Sequence, residues 1–217
     1  MNYSKYVVWG SSGHAKVLSS LISLTGGQVV ALFDNNSSAV SALKEVPLFF
    51  GKNGFQKWFD YQKSIDDTYG IAAIGGSRGN DRLEIHRLFH SYGIEVKSLI
   101  HPTASVCLTA TIGKGSQLLA QSLLAADAVI GKACILNHQA SVDHECIIGD
   151  GVHLAPSSTL CGCVTLGNNV MIGAGATILP RITIGDNTVV GAGSTVTKNL
   201  PNNVVAIGTP ARIVKNT

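Results

Sequence analysis

From Val106 to Val196 an aliphatic side chain returns at every sixth position: Val106, Ile112, Leu118, Leu124 and Ile130, then on without a miss to Ile184, Val190 and Val196. Two residues before each stands a mostly small one, among them Ala104, Ala110, Ser116, Ser122, Ala128, Cys134, Ala140 and Cys146. Glycines follow their aliphatics at steps of eighteen residues, at Gly113, Gly131, Gly149, Gly167 and Gly185. Six residues make one short flat side plus a corner, and three sides close a coil, so the pattern predicts a triangular parallel β-helix. Period two then turns each aliphatic and the small residue before it inward, a large and a small group filling a narrow interior. Glycine suits corners that need positive φ or close backbone approach. An amphipathic helix would want apolar residues at i, i+3, i+4 and i+7, which a strict six does not supply. A membrane span also fails, since the most apolar window, 118–135, is broken by Gln121, Asp127 and Lys132.

The preceding hundred residues lack this beat. Tyr6 to Trp9 is a short apolar run ending in Gly10-Ser11-Ser12-Gly13-His14, and Ala15 to Leu24 reads as a helix. Strands are predicted at Val29–Phe33, Pro47–Phe50, Ile71–Ile74 and Val96–Ile100, with helices at Phe55–Tyr61 and Asp81–His90. Strands alternating with helices argue a small parallel sheet of Rossmann type. His101-Pro102-Thr103 marks the junction. The expected organisation is a Rossmann-like α/β domain over 1–100, for substrate or nucleotide, followed by a β-helix over 101–217.

At 217 residues with 45% apolar content the chain is globular, and a net charge of +3 without a basic run gives nucleic acid little to hold. Met1-Asn2-Tyr3-Ser4-Lys5 opens no export signal. Five cysteines, with Cys134 and Cys146 at inward positions, read as reduced packing residues of a cytoplasmic protein. Cys161 and Cys163 read as spacers, and no residue is assigned to a metal.

Two places carry chemistry. The loop after the first strand opens a helix, so Gly10, Ser12, Gly13 and His14 aim backbone N–H groups and the helix's positive end at an anion such as a phosphate. Only two glycines are present, so the Gly-x-Gly-x-x-Gly fingerprint is not met and NAD is not expected. Asp34, ending the second strand, and Gly75, after the fourth, fall where a ribose or base could be held, although Asp34 suits a turn or cap equally well. On the β-helix, which bears few charges, Asn137-His138, Asp143-His144-Glu145 and His153 stand out. His138 and His144 are corner residues, while His153 precedes Leu154 and points outward from a side. An imidazole beside a carboxylate is the equipment of a general base near neutral pH.

The hexads and the tail Ala206-Ile207-Gly208-Thr209-Pro210-Ala211-Arg212 resemble the left-handed β-helix hexapeptide-repeat acyltransferases. The run Gly10-Ser11-Ser12-Gly13-His14-Ala15-Lys16 is similar to the opening of those bacterial sugar acetyltransferases that place a nucleotide-holding domain before the β-helix. The resemblance implies left-handed coils and a homotrimer with active sites between subunits. It also implies acetyl transfer from acetyl-CoA to the amino group of a nucleotide sugar, in bacterial surface glycan synthesis. His144 would be the base and Glu145 its orienting carboxylate, with Asn137 and His153 touching substrate. Ile172, Gly173 and Ala174, with Gly191 and Ala192 one coil on, would form a smooth groove for the pantetheine arm. O-acetylation of sialic acid is the alternative within the family. A β-helix whose front domain only binds nucleotide is the alternative outside catalysis. Zinc, held by imidazoles in one branch of β-helix proteins, fits spacings of six and nine poorly.

Overall fold

The structure is a computed structural model that describes residues 3–217; Met1 and Asn2, where the leader reading begins, lie outside the described residues. The chain divides into two compact units, the first comprising residues up to Ile74 together with Glu84–Lys97, the second Gly75–Leu83 together with Ser98–Thr217.

The first unit is a parallel sheet of β1 (Ser4–Trp9), β2 (Gly27–Asp34), β3 (Leu48–Phe50), β4 (Thr68–Ala72) and β5 (Glu95–Val96) in the order β3-β2-β1-β4-β5. Helices α1 (Gly13–Leu24) and α2 (Gly51–Asp60) belong to it, and α3 (Gly79–Ser91) begins in the second unit and ends in the first. α2 starts four residues before the apolar pattern suggests, because Gly51 and Gly54 dilute its signal; a Cβ on Gly54 would lie 3.2 Å from the Phe49 backbone. The core is aromatic. Trp9 stacks on Phe33 at 5.5 Å between ring centroids, and Phe33 meets Phe55 edge-on at 5.1 Å. Strand order reverses at β1, the kind of switch point outside whose strand ends open α/β sheets bind ligands.

The second unit carries the β-helix. Two-residue rungs pair in parallel with those eighteen residues away, as in Ile135↔His153, Ser141↔Thr159 and Ile147↔Thr165, and build three sheets. The inward positions behave as the period requires, with Leu118, Leu124, Cys134, Leu136, Val142, Cys146 and Leu160 buried in one continuous core. Interior packing keeps the Cys134 and Cys146 thiols protonated, each raised to about 11 by desolvation.

Three features depart from the sequence reading. The run Val96–Ile100 splits, Glu95–Val96 closing the sheet beside β4 while Leu99–Ile100 pairs with Gln117–Leu118 as the first rung. Ile100 already stands in the sixfold beat, so the coils begin one hexad earlier than Val106. The glycines at steps of eighteen do not supply positive φ; a Cβ on Gly149 would lie 2.7 Å from the Gly167 carbonyl carbon, so they let successive coils stack closely. Positive φ falls instead on the third residue after each aliphatic, from Gln121 through Glu145 and Cys163 to Gly193, at values between 55° and 69°. Most of these residues are not glycine. The final coil is two residues short, since Ala206 pairs with Val190, and Ala211–Asn216 folds back antiparallel on Val204–Gly208.

Gly75–Leu83 is fastened to the β-helix. Gly79 N–H donates to Asn169 Oδ1 at 2.7 Å, and the fully buried Arg82 donates to the carbonyls of Ala133 at 2.8 Å and Gly151 at 2.6 Å. Burial lowers the Arg82 pKa to about 10, which leaves it a cation at neutral pH.

Candidate active site

His144 and Glu145 are the two turn residues of the corner that follows the Ser141–Val142 rung. Asp143 Oδ1 accepts the His144 N–H at 2.7 Å, while Glu145 takes the positive-φ position at 56° and its N–H donates to Ala126 O at 2.9 Å. That backbone turn brings the two side chains together, with His144 Nδ1 3.0 Å from Glu145 Oε2 and both about half exposed. A carboxylate only accepts, so Nδ1 carries the proton and Nε2 keeps the lone pair. The ring lies over Gly162, its counterpart one coil on, where a Cβ would stand 2.5 Å from Nε2.

His153 occupies a rung between Ile135 and Met171 and does leave the coil outward, yet it is 7% exposed. Its Nδ1 lies 2.9 Å from the Gly76 N–H and 3.4 Å from the Gly76 carbonyl oxygen, and its Nε2 lies 3.3 Å from Asn137 Nδ2. The His138 N–H holds Asn137 Oδ1 at 2.8 Å. Gly75, read from the sequence as part of the front domain, belongs to the second unit, its Cβ position 3.8 Å from the His153 ring. His138 follows the preceding rung and therefore stands on a different edge from His144.

In the loop after β1, Gly10 is crowded, with φ 115° and a Cβ position 2.5 Å from Ala73 O. Gly13, the first residue of α1, faces open space. Ser12 sits at the N-cap without a side-chain cap, and His14 lies half buried on the first turn. Asp34 holds the loop, accepting Ser11 N–H at 2.8 Å and Asn36 N–H at 2.9 Å, the turn role the sequence left open.

Along the edge that carries Asn137, the small residues recur on later coils. Ala174 and Ala192 are exposed, and a Cβ on Gly173 would lie 2.5 Å from Ala192 N. Ile172 offers nothing to a ligand, because its side chain is in the core and its carbonyl accepts Ala155 N–H at 2.9 Å.

Residues 163–198 match the Bacterial transferase hexapeptide (six repeats) family. A solved structure of a variant perosamine N-acetyltransferase from Caulobacter crescentus, in complex with CoA and GDP-perosamine, is 32% identical over 98% of this chain and 97% of its own, with a TM-score of 0.88. The chain belongs to the left-handed β-helix sugar N-acetyltransferases. Other members of similar shape are the acetyltransferase domain of PglB from Neisseria gonorrhoeae, 26% identical over 97% of this chain and all 100% of that one, with a TM-score of 0.85. WeeI from Acinetobacter baumannii is 27% identical over 96% and 99% of the two chains, again with a TM-score of 0.85. No curated protein matches the sequence.

In this sugar N-acetyltransferase, three residues whose surroundings matter escaped the sequence reading. Gly162 was legible in principle, as the one glycine among the hexad positions two past an aliphatic. Cys163 was read as a spacer, yet its Sγ lies 3.7 Å from Glu145 Oε2. Arg82 left no signal, since an arginine within a helical pattern reads as solvated. Among the described residues, no helix is long and apolar enough to cross a membrane.

Proposed function

We propose that this acetyltransferase moves an acetyl group from acetyl-CoA to the amino group of a nucleotide-activated amino sugar, in bacterial surface glycan synthesis, with His144 as general base. The observation that carries the reading is the His144 Nδ1 to Glu145 Oε2 bond at 3.0 Å on an exposed corner. The amine must lose a proton as its nitrogen attacks the thioester carbonyl, and Nε2 takes it while the CoA thiolate departs. Glu145 fixes the tautomer and steadies the imidazolium. The perosamine enzyme is an N-acetyltransferase crystallised with CoA and a GDP sugar, which favours an amine over a sialic acid hydroxyl.

The first unit is assigned the nucleotide. Gly13 opens α1 with free space at its Cα, so N–H groups and the helix's positive end are accessible to a diphosphate, with Gly10, Ser12, His14 and Asp34 shaping that loop. Gly173, Ala174, Gly191 and Ala192 are assigned to the pantetheine arm, and Asn137 and His153 to the reacting end. These stand on one edge of the coil and His144 on the next, so a homotrimer, which sets one chain's edge against its neighbour's, would supply both to one site. Protonated internal thiols and acetyl-CoA chemistry suit the cytoplasm.

The test is His144→Ala assayed with acetyl-CoA and amino-sugar nucleotides, reading free CoA. Turnover should fall by about 100-fold to 10,000-fold with CoA affinity kept. Near-full turnover in that variant would remove His144 from the reaction.

A further inference from the structure

The eighteen-residue register that sets Gly162 under His144 also sets Cys163 under Glu145. One imidazole nitrogen, one carboxylate oxygen and one thiol sulfur, from His144, Glu145 and Cys163, lie within 4.8 Å of one another. His144 and Glu145 are exposed and Cys163 half exposed, so an ion from solvent can reach all three. Tetrahedral zinc, with bonds of about 2.0 to 2.3 Å, wants its ligand atoms about 3.3 to 3.7 Å apart. The Cys163 Sγ to Glu145 Oε2 separation is 3.7 Å and the His144 Nδ1 to Glu145 Oε2 separation 3.0 Å. Small χ rotations of exposed side chains close the difference. Thiolate with imidazole selects zinc over magnesium or calcium, whose preference is oxygen alone.

We propose that His144, Glu145 and Cys163 form an inhibitory site for a thiophilic divalent cation of the zinc type. Binding releases the Cys163 thiol proton to solvent, shifts the imidazole proton from Nδ1 to Nε2, places the ion on Cys163 Sγ, Glu145 Oε2 and His144 Nδ1, and leaves the fourth position to water. The imidazole lone pair cannot hold the ion and accept the amine proton at once, so occupancy and acetyl transfer exclude each other. The inhibitory half rests on His144 being the base; the binding half does not.

Binding is therefore read without substrates or CoA, by titrating the reduced, metal-free full-length protein with Co²⁺. A thiolate-to-cobalt charge-transfer band saturating at one ion per chain is expected, absent in Cys163→Ser and in His144→Ala and present in Cys161→Ser and Cys107→Ser. Zn²⁺ should displace the Co²⁺, and Cys163→Ser should weaken Zn²⁺ affinity by at least about tenfold. Measured against its own rate in chelator, Cys163→Ser should need a Zn²⁺ concentration higher by the same factor to halve that rate. A cobalt band that is missing, or that survives Cys163→Ser, overturns the site. Tight Zn²⁺ binding that leaves transfer unaffected overturns the inhibition. Transfer that persists in His144→Ala under chelator is instead a failure of the general-base reading, and leaves the cobalt result standing.

Discussion

Two edges of the same coil spend their polar side chains differently. On the edge that follows the rungs ending in Ile130, Ile148 and Leu166, Asp150 Oδ1 accepts Lys132 N–H at 2.7 Å, Asn168 Oδ1 accepts Asp150 N–H at 2.9 Å and Asp186 Oδ1 accepts Asn168 N–H at 2.6 Å, each reaching across eighteen residues. On the edge bearing His144, the corresponding bonds are to the next residue, Asp143 to the His144 N–H and His144 to Glu145. The first edge zips coil to coil and has no group to spare. The second caps the His144 N–H within its own turn and leaves the imidazole about half exposed. On the proposed reading, a repeat fold obtains chemistry by relaxing its stacking rule at one corner, while the neighbouring edge holds the register.

If that division is right, damage to the zipped edge should appear as lost stability and damage to the other as lost rate. Arg82→Met should have the largest effect, because it strips buried donors from Ala133 and Gly151 on the zipped edge. A loss of about 3 kcal/mol is expected from orphaned buried carbonyls, and thermal melting should show a midpoint lower by about 6 to 12 °C. An unchanged midpoint would mean that those carbonyls find other donors. Gly149→Ala should follow at about 2 kcal/mol, since its Cβ would lie 2.7 Å from the Gly167 backbone as well as 2.8 Å from the Asn168 side chain, and the backbone of the next coil cannot swing aside. Urea unfolding measures it, and the surviving folded fraction should keep its kcat. Gly162→Ala should do the reverse. Its methyl displaces the His144 ring, so kcat should fall by about tenfold, equivalent to about 1.4 kcal/mol, while the melting midpoint stays near that of the parent. Equal turnover would show that the ring need not lie over Gly162.

The coil was readable because its rule is a repetition: every inward aliphatic from Leu118 to Val196 is packed, and a single sixfold beat determines them all. His144 and Glu145 were readable because charge is rare on this surface. The positive-φ corners were not, since the backbone imposes the turn and then accepts Gln121, Asp127, Ala133, Glu145 or Arg181 there. The division of Val96–Ile100 was hidden because both halves are apolar and only their partners differ. Arg82 and the environment of His153 depend on a segment, Gly75–Leu83, whose place on the β-helix no local pattern announces.

The antiparallel return of Ala211–Asn216 has a consequence for colloidal behaviour. A stack of parallel rungs ends in a row of unpaired N–H and C=O groups, on which the rungs of another molecule could be added without limit. Here the last strand of the longest sheet runs backwards and carries Arg212 and Lys215. A neighbouring coil approaching that edge of the sheet meets reversed polarity and positive charge, which disfavours end-to-end stacking through it.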